Sequence, residues 1–210
     1  MIGCLITYKQ LWMKRTFDLV VSFLGLIIIL WLIILAFALA SIDTRQNGFF
    51  TQTRVGRNGR LFKVIKIRTM CNIAGINTTV TTGNDPRITP LGAFFRRTKI
   101  DELPQLINVL LGHMSFVGPR PDIPGYYDML PENDRKILLS VRPGITGPAT
   151  LKYRAEEEIL ATVDEPEKYN REVIFPDKVL INRQYIENYS FVNDLRYIWA
   201  TVFGIRYRGV

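Results

Sequence analysis

Cysteine and histidine are almost missing from this chain. Its 210 residues hold two cysteines, Cys4 and Cys71, and one histidine, His113. The cysteines lie far apart and form no paired motif, which argues against a disulfide framework or a zinc site and for reduced thiols. A Ser-His-Asp or histidine-metal mechanism would rest on His113 alone. Acidic charge is also scarce: 19 Asp and Glu face 27 Lys and Arg, a net charge of +8. That balance calls for an anionic partner, whether nucleic acid, a phospholipid surface or a phosphorylated substrate. Internal repeats are lacking, and so is any linker that would split the chain into two soluble domains.

One apolar run chooses among those partners. Leu19 to Ala40 is 22 residues without a charge. At 1.5 Å per residue it extends about 33 Å, enough to cross a bilayer core. Membrane lipid is therefore the expected partner, and nucleic acid is not. The run is too long for a removable signal peptide. Lys9, Lys14 and Arg15 precede it, and Arg45, Arg54, Arg57 and Arg60 follow. Cationic flanks on both sides fit poorly with a simple crossing and favour a re-entrant segment with both ends cytoplasmic. Such a turn needs a helix breaker, and Gly25 is the only candidate, so spanning and re-entrant readings both stay open.

The organisation follows. Residues 1–12 read as a loosely attached N-terminal extension, with Met13 an alternative start. Residues 13–42 form the membrane-inserted helix, with Thr16 as N-cap and Asp18 at its positive end. Residues 43–210 form the catalytic or binding domain. Asn47-Gly48 and Gly56-Arg57-Asn58-Gly59 are hairpin signals within a turn-rich stretch, 43–60. Phe62 to Ile67 alternates as a short strand, and residues 71–85 read as a mobile loop. From Pro90 to Leu111 the pattern gives two amphipathic helices, closed by Gly112. "SFVGPRP" (115–121) and "VRPGITGP" (141–148) are stiffened loops, each with an arginine beside a proline. Ile181 to Tyr207 is again helical and aromatic-rich, suited either to a membrane interface or to a core. The expected fold class is α+β, mostly helical: a membrane helix, a compact domain with interfacial helices, and a short β-hairpin. Apolar interfacial helices also make a homodimer an expectation.

"KIDELPQL" (99–106) places Asp101 beside Glu102, with Pro104 suited to the first turn of a helix. The spacing puts the acids at the N-cap and N1 positions. A capped helix start explains the pair without any chemistry. The setting invites more: arginine matches phosphate oxygens with a planar fork, and a carboxylate among arginines is expected to stay ionised. Adjacent acids divide two tasks, nucleophile and holder of Mg²⁺, which takes one or two carboxylates plus substrate phosphates. Glu156, Glu157 and Glu158 read as a solvated helix start.

These residues resemble a known family. "MKRTFDLVVS", "FFTQTRVGRNGRLFKVIKIRTM", "NDPRITPLGAFFRRTKIDELPQLINVLLGHMSFVGPRPD" and "VRPGITGPA" follow, in order, the motifs of the bacterial sugar transferases, the small monotopic phosphoglycosyl transferases. The resemblance runs from about Met13 to about Thr150. It implies transfer of a sugar 1-phosphate from a UDP-sugar to a polyprenol phosphate, usually undecaprenyl phosphate. UMP is released through a covalent aspartyl phosphosugar, as the first membrane step of capsule, O-antigen or glycoprotein glycan assembly. It implies Asp101 as nucleophile and Glu102 as its partner, both near Mg²⁺, with Lys66, Arg96, Arg120 and Arg142 as substrate-binding residues. For Arg142 a structural role stands beside ligand contact. The implied location is the bacterial inner membrane, catalytic part on the cytoplasmic face. The chain departs from many relatives in having Leu30-Trp31 where they carry Ser-Pro, Pro148-Ala149 after "VRPGITG" where they carry Trp-Ala, and Asn182 where they carry aspartate. From another class, a non-catalytic scaffold binding anionic lipid or later glycosyltransferases also fits the charge.

Overall fold

The computed structural model describes residues 6–73 and 85–205. Helix α1 (Tyr8–Thr44) leads into a hairpin of β1 (Phe49–Val55) and β2 (Leu61–Ile67). Helix α2 (Pro90–Thr98), a 3-10 turn (Ile100–Glu102) and α3 (Gln105–Leu110) follow. Next come β3 (Ser115–Val117), α4 (Glu132–Leu139), β4 (Gly144–Thr146), α5 (Pro148–Lys152), α6 (Glu156–Ala161) and α7 (Pro166–Tyr169). Helices α8 (Phe175–Glu187) and α9 (Phe191–Phe203) complete it. This is the mostly helical α+β architecture expected. Cys4, most of the expected 71–85 loop and Tyr207 lie outside the described residues.

Helix α1 begins earlier than expected. Thr7 caps it by accepting from the Gln10 amide, and Gln10 returns the bond to the Thr7 amide. This reciprocal capping box displaces Thr16, which lies inside the helix. Residues 8–12 are therefore helix rather than loose extension, and Ile6 is buried in the main core. The helix then runs without interruption through Gly25 and Leu30-Trp31. The break that a sharp re-entrant turn would need is absent, because no proline removes a backbone donor.

One stripe of α1 packs against the domain along nearly its whole length. Lys14, Asp18, Ser22, Ile33, Ala36, Ala40 and Thr44 are buried. Near the start, the Lys14 ammonium meets the Asp194 carboxylate at 2.6 Å, and Asp18 accepts from Ser115 Oγ and the Phe116 amide. Near the end, Ala36 and Ala40 join Ile67 and Phe95 in a small apolar cluster. The opposite stripe is apolar and outward: Ile27, Ile28, Trp31 and Ile34 are each about three-fifths exposed. A side chain of that kind suits hydrocarbon, and α1 has the length and hydropathy of a membrane helix. The protein is membrane-associated, and α1 is the described helix suited to it.

The hairpin turns where the sequence signals it, at Asn58 and Gly59, which both take positive φ. Residues 49–55, expected as part of a turn-rich stretch, form β1 instead, in register from Phe49 opposite Ile67 to Val55 opposite Leu61. Its mixed Phe, Thr, Gln and Arg composition hides a strand whose pairing supplies the order. The other edge of β2 is satisfied by one side chain. Asn108, almost wholly buried, donates to the Lys63 carbonyl at 2.8 Å and accepts from the Ile65 amide at 3.0 Å. A side-chain amide here stands in for a third strand.

The two Pro/Gly loops meet. β3 and β4 pair in parallel, Ser115 opposite Gly144 and Val117 opposite Thr146. A Cβ on Gly118 or Gly144 would collide with the facing backbone, so this close approach requires glycine. The expected helical tail is two helices, α8 and α9, parted at residues 188–190. Its aromatics divide as well: Tyr185, Tyr189 and Tyr197 belong to the main core, while Trp199 and Phe203 face outward.

Asp194 ties this tail to α1. Besides Lys14 it accepts from Tyr185 and Tyr189 hydroxyls at 2.8 and 3.2 Å. Removing one member of a buried pair leaves the other charge uncompensated, at a cost of about 3–5 kcal/mol. Asp194→Ala should accordingly lower the thermal unfolding midpoint in detergent micelles by about 6–20 °C. A variant that melts with the parent chain would show that the pair does not hold the tail.

Candidate active site

The acid pair does not sit at a helix N-cap. Helix α2 opens on Thr89, whose Oγ accepts from the Gly92 amide at 2.9 Å, and ends at Lys99 with φ of 59°. That left-handed residue stops the helix and starts the 3-10 turn carrying Asp101 and Glu102. Pro104 follows as the residue before α3. The correction has a geometric consequence. Successive side chains in a 3-10 turn point about 120° apart, so the two acids face different surroundings.

Glu102 faces cations. Its Oε1 accepts from Arg120 Nη2 at 2.7 Å and from Lys66 Nζ at 3.3 Å. Lys66 comes from β2 and Arg120 from the loop after β3, so the carboxylate clamps three segments together. Burial pushes the Glu102 carboxyl up, but Arg120 and Lys66 more than reverse this and hold it well below the usual range. Burial lowers the Lys66 ammonium, with Glu102 opposing. Glu102 raises Arg120 above its ordinary value.

Asp101 is only 7% exposed, and its Oδ1 has no hydrogen-bond partner. Burial and then the neighbouring Glu102 raise its carboxyl, against the pull of Lys66, Lys99 and Arg96. Those cations still draw the carboxyl down, but the two that bond a carboxylate here, Lys66 and Arg120, do so at Glu102. Asp101 is the higher-energy carboxylate of the pair, with an oxygen free to bond something else.

Arg96 lies within electrostatic reach of Asp101 and pairs with Glu157. Glu156 likewise binds Lys178 Nζ through both oxygens at 2.7 Å. The three glutamates do start a helix, α6, as expected, and two of them also hold cations there. Arg142 is not brought to this cluster. Its Nε donates to the Gly112 carbonyl at 2.8 Å, and its charged neighbours are Arg15, Arg57 and Asp18. It supports the end of α3 beside Arg15, which donates to the Val109 and Leu110 carbonyls. In the "NDPR" stretch, Asp85 and Arg87 pair with each other at 2.6 Å and shape the entry to α2. His113 is exposed, with its ring 5.8 Å from that of Phe62.

Sequence reasoning missed Arg54 and Asp122. Arg54 donates to the Pro121 carbonyl at 3.1 Å and to Gln52 Oε1 at 2.6 Å, directly under the Arg120 loop. Asp122 lies among Lys178, Arg54, Glu156 and Arg120. Both are placed by contacts between "TQTRV" and the "PRPD" loop, where the Val55 amide donates to the Asp122 carbonyl at 3.0 Å, and no local pattern carries that contact. As for a metal, no cluster of three or more potential ligands occurs among the described residues. The Asp101 carboxylate, which makes no hydrogen bond through Oδ1 and is next in sequence to a second carboxylate, does fit a hard cation that draws its remaining ligands from substrate phosphate and water.

Comparison with known proteins shows the family. The sequence profile of the family described as bacterial sugar transferase matches residues 9–207. The chain belongs to the bacterial sugar transferase family. It is similar to the exopolysaccharide production protein PSS of Rhizobium leguminosarum bv. phaseoli, 37% identical over 94% of this chain and 96% of that protein. It is also similar to the UDP-glucose:undecaprenyl-phosphate glucose-1-phosphate transferase of Escherichia coli K12, 35% identical over 91% of this chain and 39% of that protein. A third relative is the galactosyl transferase CpsE of Streptococcus agalactiae serotype III, 35% identical over 93% and 42% respectively. The chain thus covers nearly all of the first relative and about two-fifths of the other two.

Asp122 gives the site a pH signature. Burial raises its carboxyl from 3.8 to about 6, against Lys178 and Arg54. Between those values the folded chain holds a proton that the unfolded chain has released, so this residue's contribution to stability falls as pH rises from 3.8 to about 6. Asp122→Asn should raise stability at neutral pH by about 1–2 kcal/mol, with no gain in acid below that window. Thermal unfolding of both proteins across the window checks the sign; a neutral-pH loss would overturn it.

Proposed function

We propose that this transferase moves a sugar 1-phosphate from a UDP-sugar to undecaprenyl phosphate and releases UMP. The observation that carries the reading is the split acid pair: Glu102 locked by Lys66 and Arg120, Asp101 buried with an unpartnered oxygen. A pure anion binder gains nothing from a raised, unpaired carboxylate in its basic cluster. A nucleophile gains from it, because poor stabilisation of the free carboxylate leaves more to be recovered in bonding.

In the first step an Asp101 carboxylate oxygen attacks the β-phosphorus. The bond from that phosphorus to the bridging oxygen breaks, and UMP leaves with that oxygen and its electron pair. An aspartyl phosphosugar remains. In the second, a phosphate oxygen of undecaprenyl phosphate attacks the same phosphorus and the Asp101 carboxylate leaves. Polyprenol diphosphate sugar is the product. Arg96 and Arg120 lie where guanidinium forks would meet phosphate oxygens, and Lys66 keeps Glu102 in register. Asp101 and Glu102 would hold Mg²⁺, which when bound would neutralise charge on the diphosphate.

The arrangement of α1 supports a reading in which both of its ends lie on the cytoplasmic side. Lys14 and Asp18 near its start and Ala36 and Ala40 near its end contact the same domain. A straight crossing would carry one of those regions about 30 Å away, beyond the hydrocarbon. The helix instead lies against the domain with its apolar stripe in lipid.

Two measurements test these statements. Purified protein, undecaprenyl phosphate and Mg²⁺ are screened with UDP-glucose, UDP-galactose, UDP-N-acetylglucosamine and UDP-N-acetylgalactosamine. One donor should release UMP, and Asp101→Asn should reduce that rate by at least about 10³-fold; undiminished turnover would remove Asp101 from the chemistry. For topology, single cysteines replacing Tyr8 or Asp43 in a cysteine-free background should both react with an impermeant maleimide in inverted vesicles and neither in spheroplasts. Labelling from opposite sides would establish a spanning helix.

A further inference from the structure

A second orphaned group lies one turn from Asp101. Gln105 is 3% exposed, and its side-chain Nε2 has no hydrogen-bond partner. Leaving a buried donor unpaired is costly, which is why native chains rarely do so. Asp101 Oδ1 is a buried acceptor in the same condition. Glu102 closes the 3-10 turn, and Leu103 and Pro104 keep right-handed helical backbone angles on to α3. Residues four apart on such a path lie one turn apart on adjoining faces, within reach of a long side chain such as glutamine. The path continues to Asn108, whose amide is fully used on β2. So these three buried polar side chains are one satisfied amide, one unsatisfied donor and one unsatisfied acceptor.

We propose that Gln105 is a positioning residue for Asp101. In the substrate-bound enzyme its Nε2 donates to Asp101 Oδ1, a rotation of side chains bringing together groups that are unbonded in this structure. The inference rests on the reading of Asp101 as nucleophile. A donor on Oδ1 fixes the carboxylate plane and leaves Oδ2 to form the bond to phosphorus. When the second step returns the electron pair to the carboxylate, the same N–H stabilises the departing charge. Gln105 itself exchanges no proton and touches no substrate. Both groups are almost wholly buried, so the amide is a donor already at hand inside the fold. The unpaired donor in the resting chain is then a local instability retained for the reaction.

This makes stability and activity move in opposite directions. Gln105→Met keeps the length and volume of the side chain and deletes the orphan donor. It should melt no lower than the parent, and by up to a few degrees higher, since no hydrogen bond is lost in the resting state. Its kcat for UMP release, with whichever of the four UDP-sugars turns over fastest, should fall about 10–100-fold, with KM for that donor within about twofold. Gln105→Glu, which substitutes an acceptor for the donor, should lose at least as much kcat. A lower melting point with a parallel loss of kcat in Gln105→Met would mark Gln105 as a packing residue and overturn the proposal; so would an unchanged kcat in either variant. Asp101→Asn run beside them separates the two levels. If that variant turns over normally, the nucleophile reading fails. If it is inactive while Gln105→Met is fully active, only the positioning role fails.

Discussion

The ion pairs on Glu102 are the constraint from which the site follows. A carboxylate with two cations in partial burial is expensive to assemble, because each charge loses hydration before it gains its partner. The three segments it joins are otherwise unrelated: an edge strand, a single 3-10 turn and a proline-bound loop. Lys66 and Arg120 give their hydrogen bonds to Glu102, and Asp101, turned away from it, feels them only through space. The residue that does the structural work is thereby stabilised as an anion, and its neighbour is left buried with an open oxygen. Two identical functional groups, adjacent in sequence, acquire opposite characters from their surroundings.

That division depends on α3 being held still, and α3 is six residues long, too short to persist by its own hydrogen bonds. Its order is imposed from outside. Asn108 bolts it to β2, Val109 and Met114 bury it against Phe62 and Val64, and Arg15 and Arg142 take its terminal carbonyls. Arg15 belongs to the membrane helix. The membrane helix therefore caps the same short helix that follows the acid pair. Anchoring at the bilayer and alignment of the acid pair are one structural problem, solved with one helix.

Much of this was legible in the sequence where the signal was local. The hairpin turn at Asn58-Gly59, the stop at Gly112, the apolar run and the Asp-Glu step all declare themselves within a few residues. What failed to show was set by distant partners. β1 reads as turn until β2 orders it. The β3–β4 pairing joins two loops nearly thirty residues apart. Arg142 and Arg120 look alike in their proline-flanked settings, yet one reaches the end of α3 and the other reaches Glu102. Thr16 and Thr7 are both acceptable caps, and only Gln10 distinguishes them. The glutamates of α6 read as solvated because Arg96 and Lys178 lie far along the chain.

Asp194 illustrates the same limit from the stability side. Nothing in "FVNDL" marks an aspartate destined for full burial, and a lone acid in an aromatic tail would ordinarily stay in water. It is buried because Lys14 is delivered to it by α1 and two tyrosine hydroxyls close around it. The membrane helix thus supplies one cation to the core through Lys14 and one helix cap to the site through Arg15, from adjacent positions about 100° apart on its circumference. Adjacent residues facing different elements is the same device that separates Asp101 from Glu102. In both places the chain uses the angular step of a helical backbone to hold two like groups to two different tasks.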